Sequence, residues 1–412
     1  MLEDIFSDVR AIARHREGIF GSYIDAFATD LDGQGYARFT VRMAVEAVAR
    51  IGYWFADHRL DAGDTSEATI AEFCRQDKFA DATRHGSKAA LRMLLEQLQL
   101  LGVVAPAVSE TECSAAAQVT DRFARYLREE RSLSEATVVN YCPEVTRFIS
   151  GRFGTGSIDL TKLCVADLHA FVSRHARNYS ARRVQLMLTV LRSFLRFLFL
   201  HGEIPSRLDY HVPTAPSWKK TDPPRWLSAE DIERVIASCD RHSDIGQRDY
   251  AILVLLARLG LRAGEVVSLE LEDIRWETGA ISVCGKGQHR KRFPLPDDVG
   301  EALAAYLKNV RRRGDSRRVF LRAKAPYRGL GSSSTLDTIV RNALSRAGLD
   351  PPLKGAHLFR HSLATKMLRH GATLTEIGQI LHHANPDTTS IYAKVDIDGL
   401  RALAMPWPGD CS

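Results

Sequence analysis

No stretch of this 412-residue chain is apolar over the roughly 18 residues that a membrane-spanning helix needs. The best run, Ala251 to Leu259, is short and contains Arg258. The opening decapeptide, MLEDIFSDVR, is acidic where a secretory leader is basic and then apolar, so a cytoplasmic location and no membrane partner are expected. The seven cysteines (Cys74, Cys113, Cys142, Cys164, Cys239, Cys284 and Cys411) are odd in number and form no CxxC pair. That scatter excludes a disulfide framework and a zinc cage. A GxxxxGK[ST] phosphate loop is missing, and His357-Leu358-Phe359-Arg360-His361 has leucine where the zinc-protease pattern HExxH requires glutamate.

What is present is an ordinary globular composition, 45% apolar and 26% charged, in a chain long enough for two or three domains. Charge is unevenly shared. Residues 1–115 hold 12 Lys/Arg against 18 Asp/Glu, net −6, so the remainder, with 44 against 32, is net +12. A basic body behind an acidic front raises the expectation of a nucleic-acid partner.

Two linker-like stretches divide the chain: Val103 to Ala117, small and polar, and Gly202 to Pro224, with five prolines. Between them, apolar residues at helical spacing predict helices over Val119 to Arg131, Glu135 to Ile149, Val165 to Arg174 and Ala181 to Phe199. The last carries Arg182, Arg183, Arg192 and Arg196, candidates for DNA phosphate contact. The first piece is also helical and holds a faint echo of the second. Thr40-Val41 through Tyr53-Trp54-Phe55, then Ile70 to Phe73, resembles Thr137-Val138 through Phe148, then Val165 to Phe171. Any two amphipathic helices joined by a loop align this well, so the spacing leaves a true repeat open.

In the third piece Ser228 and Asp231 form a helix-start signal, a helix over Asp249 to Leu259 stops at Gly260, and a short helix follows from Ala263. Ala280 to Cys284 and Arg290 to Leu295 read as a β-hairpin around Gly285-Lys286-Gly287-Gln288. The sequence predicts a mostly α protein with a small antiparallel β-sheet, an α+β fold.

Four segments of this piece carry chemistry-bearing side chains: Gly260-Leu261-Arg262-Ala263-Gly264-Glu265; the Lys286 turn; His357-x-x-Arg360, neighbours at i, i+3 on a helix; and Leu381-His382-His383-Ala384-Asn385-Pro386-Asp387-Thr388-Thr389-Ser390-Ile391-Tyr392. Each alone has a bland reading as a surface pair or a packed ring. Together they supply what phosphoryl transfer to a side chain needs: a nucleophile, a base, an acid for the leaving oxygen, and fixed positive charge on the nonbridging oxygens.

In chain order this set resembles the tyrosine recombinase (phage integrase) family, whose pattern of Arg, Lys, His-x-x-Arg, His or Trp, and Tyr is matched by Arg262, Lys286, His357, Arg360, His383 and Tyr392. GLRAGE, VCGKGQHRKRFPL, HLFRHSLAT and LHHANPDTTSIYAKV resemble the family's boxes. One departure stands out: His382 occupies a position where the family usually has glycine. The resemblance covers about residues 118–405 and implies a helical SAM-like core-binding domain over 118–201 and a catalytic domain with a C-terminal tail over 226–412. Residues 1–102 form an extra helical N-terminal domain of the kind expected in a mobile-element integrase or transposase.

By resemblance, Tyr392 attacks the scissile phosphate to give a 3′-phosphotyrosyl link, His357 takes its proton, and Arg262 and Arg360 hold the nonbridging oxygens. Lys286 protonates the leaving 5′-oxygen, His383 hydrogen-bonds the phosphate, and Glu265 orients its neighbours. The resemblance implies no metal and no cofactor. The implied partners are double-stranded DNA with specific recombination sites and three further copies in a homotetramer on two duplexes. Other recombinases or accessory proteins would contact the N-terminal domain, and residues 396–412 would dock on a neighbour. A noncatalytic DNA-binding relative and a topoisomerase-like nicking and resealing enzyme are the alternatives.

Overall fold

The computed structural model describes the chain except residues 77–80, 106–113, 155, 215–223, 286–289, 313, 384, 386–387 and 396–412, and of residues 81–85 the backbone alone. The chain divides into two compact units, Met1–Val104 with Lys220–Ser412, and Ala105–Lys219.

The first segment folds as α1 (Leu2–Ile5), α2 (Val9–Glu17), α3 (Gly21–Gly33), α4 (Arg38–Asp57), α5 (Glu67–Gln76) and α6 (Asp81–Leu100). Along α4, Val41, Val45, Val48, Ile51 and Phe55 recur every three or four residues, and all are fully buried in a core of their own. Within the same unit the turn after α3 meets the third segment, where a side chain on Gly35 would run into the Tyr327 ring.

The middle unit folds as α7 (Ala115–Glu129), α8 (Glu135–Phe153), α9 (Val165–Ala176) and α10 (Ala181–Leu200) around Phe123, Phe148 and Phe194. The Phe123 and Phe194 rings meet edge to face at 5.3 Å. The proline-bearing stretch expected to be all linker is in part core. Ile204, Leu208 and Val212 are buried in this unit, and Arg192 on α10 donates to the carbonyls of Val212 and Pro213.

The echo between the first two segments extends through their whole helical plan. Helices α3 to α6 match α7 to α10 in order, and the buried pairs coincide: Phe27 with Phe123, Leu31 with Leu127, Val48 with Val145, Phe73 with Phe171, Leu98 with Leu198. Between the second and third helices each segment places a 3-10 turn capped by an aspartate, Asp61 in one and Asp159 in the other. Each fourth helix ends alike, at Gly102 (φ 71°) and Gly202 (φ 69°), with the next N–H returning to the carbonyl of Leu98 or Leu198.

The third segment runs α11 (Ala229–Ala237), α12 (Asp244–Leu259), α13 (Ala263–Ser268), β1 (Ile274–Arg275), β2 (Ala280–Cys284), β3 (Arg290–Pro294), α14 (Asp297–Asn309), α15 (Ser333–Arg346), α16 (Ala356–Arg369) and α17 (Leu374–Ile380), then a 3-10 turn over Ser390–Val395. The strands form one antiparallel sheet, β1-β2-β3, with Val283 opposite Lys291 and Ile281 opposite Phe293. Helix α12 is the core helix, buried without a break from Ala251 to Leu256. It begins earlier than its apolar run, because Ser243 caps it through the N–H of Gly246. It ends where Gly260 turns left-handed (φ 58°), with Leu363 and Leu381 packed so close that a Cβ would lie 2.9 and 3.0 Å from them.

Candidate active site

The reversal at Gly260 aims the chain into the start of α13, where Arg262 is the residue before the first turn. Glu265, 5% exposed, reaches back to it. Its carboxylate accepts from the Arg262 backbone N–H at 2.8 Å and from the guanidinium at 2.9 Å, which fixes the arginine's direction. Arg360 projects from α16 into the interior and is 4% exposed. Its guanidinium donates to the Gly260 carbonyl at 2.6 Å and the Leu381 carbonyl at 2.5 Å, so one side chain ties together the ends of α12 and α17.

The sheet adds a residue that motif reading passed over. Lys291, on β3, donates to the His382 carbonyl at 2.9 Å. His382 itself is left-handed (φ 51°), which accounts for the family's usual glycine at this place. Its ring is held edge-on against Phe293 at 4.8 Å. His383 pairs through Nδ1 with the buried Thr389 hydroxyl at 2.7 Å. Tyr392, in the 3-10 turn, is 1% exposed, and its hydroxyl lies 2.9 Å from Nδ1 of His361. His357 is exposed one helical turn earlier, its ring centroid 6.3 Å from that of His361.

These groups feel one another. Burial, then the charge of Arg262, pulls the Arg360 guanidinium down to about 10. Burial with Arg262 and Arg360 pulls Lys291 below the usual lysine range. His383 falls to about 4, chiefly by burial and then through Arg360, Arg262 and Lys291. Tyr392 is pushed up to about 12 by burial, against the pull of Arg360 and Arg262. Glu265 offsets the cations in part. A cluster of half-desolvated positive charges that repel one another is stabilised by an incoming anion, and most of all by one whose charge grows during reaction.

The structure therefore gathers Arg262, Glu265, Arg360, His383 and Tyr392, with His357 at the edge. Lys286 lies outside the described residues, as does the 396–412 tail. Of the four arginines on α10, Arg182 is exposed. Arg183 pairs with the fully buried Glu144, Arg192 holds two carbonyls, and Arg196 lies 3.5 Å from Asp209. Sequence reasoning missed Lys291, His361 and Thr389. A period-two signal marked the first, since Lys291 and Phe293 turn inward on β3 while Arg290 and Arg292 are exposed.

Comparison with known proteins fits this geometry. Residues 225–398 match the phage integrase family, and residues 120–202 match its N-terminal SAM-like domain. The Sinorhizobium fredii protein y4rA, named as a candidate integrase/recombinase, is 43% identical over 401 residues, 97% of each chain. Tyrosine recombinase XerC of Oceanobacillus iheyensis is 30% identical over 69% of this chain and 94% of its own. In fold, the XerH site-specific recombinase bound to palindromic difH substrate aligns over 73% of this chain and 89% of its own, with TM-score 0.55 and 18% identity. The fold and site define an enzyme that forms a covalent link to DNA through tyrosine, and the chain belongs to the phage integrase family of tyrosine recombinases. It is a site-specific DNA recombinase, a strand transferase that cuts and rejoins DNA.

Proposed function

We propose that the protein integrates, excises or transposes a mobile element, and that Tyr392 is its nucleophile. The Tyr392 oxygen attacks the scissile phosphorus, the P–O5′ bond breaks, and a 3′-phosphotyrosyl link holds the bond energy until a 5′-hydroxyl from a partner strand reverses the step. His357 accepts the phenol proton, and Lys286 donates one to the departing 5′-oxygen. Arg262 and Arg360 neutralise the nonbridging oxygens; removing one such donor costs about 3 to 4 kcal/mol of transition-state stabilisation. His383 hydrogen-bonds the phosphate, and Glu265 aims Arg262.

The observation that carries this reading is geometric: Arg262 held by Glu265, Arg360 buried across the ends of α12 and α17, and Lys291 and His383 beside them stand together near the buried Tyr392. The chain organisation we propose is an N-terminal domain over 1–102, a core-binding domain over 118–201 and a catalytic domain from 226 onward, acting as a homotetramer on two duplexes. The acidic first domain suits protein contact, with another recombinase or an accessory protein, better than phosphate contact. Among relatives in fold is the integrase of transposon Tn1549 in complex with circular intermediate DNA (TM-score 0.50, 18% identity), which supports the mobile-element role. The test is a nicked suicide duplex carrying the element's ends. Wild-type protein becomes covalently attached, Tyr392→Phe binds within a few-fold yet forms no adduct, and an adduct in that variant refutes the assignment.

A further inference from the structure

Helix α17 ends in a turn that asks for glycine and receives histidine. The His382 N–H returns to the Gln379 carbonyl at 3.0 Å and the His383 N–H to the Gly378 carbonyl at 2.8 Å, the double return that puts a left-handed residue just past a helix. Glycine takes that conformation freely, whereas the Cβ of a histidine opposes it. Contacts to β3 offset the cost. The His382 ring stands edge-on to Phe293 at 4.8 Å, and Lys291, two residues earlier on the same face of the strand, donates to the His382 carbonyl at 2.9 Å.

The preceding carbonyl, of Leu381, is held by Arg360. Two successive carbonyls at the end of α17 are thus each capped by a cation of the anion site, where positive charge also meets the negative end of the helix dipole. The next residue is His383, whose Nδ1 pairs with Thr389. Its backbone is pinned from one side and its ring from another, and Nε2 is the ring nitrogen that Thr389 does not engage.

We propose that Lys291 and His382 are positioning residues for strand cleavage: together they clamp the end of α17 to β3 and so hold His383 where it meets the scissile phosphate. This rests on His383 contacting that phosphate. The ammonium supplies the bond and the His382 ring supplies the packing, so the clamp has two points on one strand.

Single-turnover cleavage of the nicked suicide duplex by saturating full-length protein reads positioning apart from binding. Misplacing an aligned group by about 1 Å can cost on the order of 100-fold, so Lys291→Met is expected to slow cleavage by about 30- to 100-fold with duplex affinity within about threefold. Lys291→Arg, which keeps a charged donor, should return to within about fivefold of wild type. His382→Gly keeps the turn and its carbonyl but deletes the ring, and should slow cleavage by about threefold. In a His383→Ala background Lys291→Met should add no more than about threefold, because the group it positions is gone. Lys291→Ala takes the place of the Met variant should that not fold. Wild-type cleavage by Lys291→Met or by His382→Gly, or equal slowing by Lys291→Met in the two backgrounds, overturns the proposal. His383→Ala alone decides the phosphate contact: cleavage at the wild-type rate would remove His383 from the site, so the two failures are distinguishable.

Discussion

The first and second helical segments share one plan of four helices and a capped 3-10 turn, yet their surfaces differ in sign. Residues 20–104 carry 9 Lys/Arg against 12 Asp/Glu, net −3, whereas residues 115–204 carry 13 against 8, net +5. At the positions matching Arg182, Arg183, Arg192 and Arg196, the first segment has Ala82, Thr83, Arg92 and Glu96. The arginine that remains, Arg92, is held by Glu67. The buried pairs are what the plan requires, and the outward residues are free to vary with the partner. One helical plan thus carries net positive charge in the middle unit and net negative charge at the front of the chain.

The largest effects should come from emptying both cores at matched positions. Phe27→Ala and Phe123→Ala should each cost about 3 to 5 kcal/mol, seen as lowered denaturation midpoints. Only Phe123→Ala should also weaken duplex binding; equal loss of binding from Phe27→Ala would give the first segment a direct part in gripping DNA. A milder probe is charge. Arg182→Ala should lower duplex affinity and reduce the slope of log affinity against log salt by about 1, while Arg92→Ala should leave both unchanged. The smallest effect tests the equivalence itself. Gly102→Ala and Gly202→Ala sit in the same left-handed turn with open space around them, and each should cost about 1 kcal/mol by urea titration. Gly260→Ala, where Leu363 and Leu381 close in, should cost more than either.

Much of this architecture was legible in the sequence because helical periodicity survives wherever a helix buries one face. The helices of the middle unit, the hairpin strands and the stop at Gly260 all follow from that pattern and from turn chemistry. Helix α12 was read short because its first turns are polar, and there Arg248 and Asp249 are buried as a pair rather than exposed. The two-residue β1 has no periodicity to read. At the site, the motif order named Arg262, Arg360, His383 and Tyr392. It could not show that Lys291 crosses from β3 to the His382 carbonyl, because that contact depends on strand register. Nor could it show that the phenol pairs with His361 in preference to His357, because which face of α16 is buried is decided by packing against the turn that carries Tyr392.

The residue to which DNA becomes attached is the most direct test of Tyr392 as the nucleophile. Protein trapped on a nicked suicide duplex, digested with trypsin and nuclease and read by mass spectrometry, should carry its nucleotide remnant on Tyr392 alone. A remnant on any other residue, or a stable adduct formed when Tyr392 is phenylalanine, contradicts it.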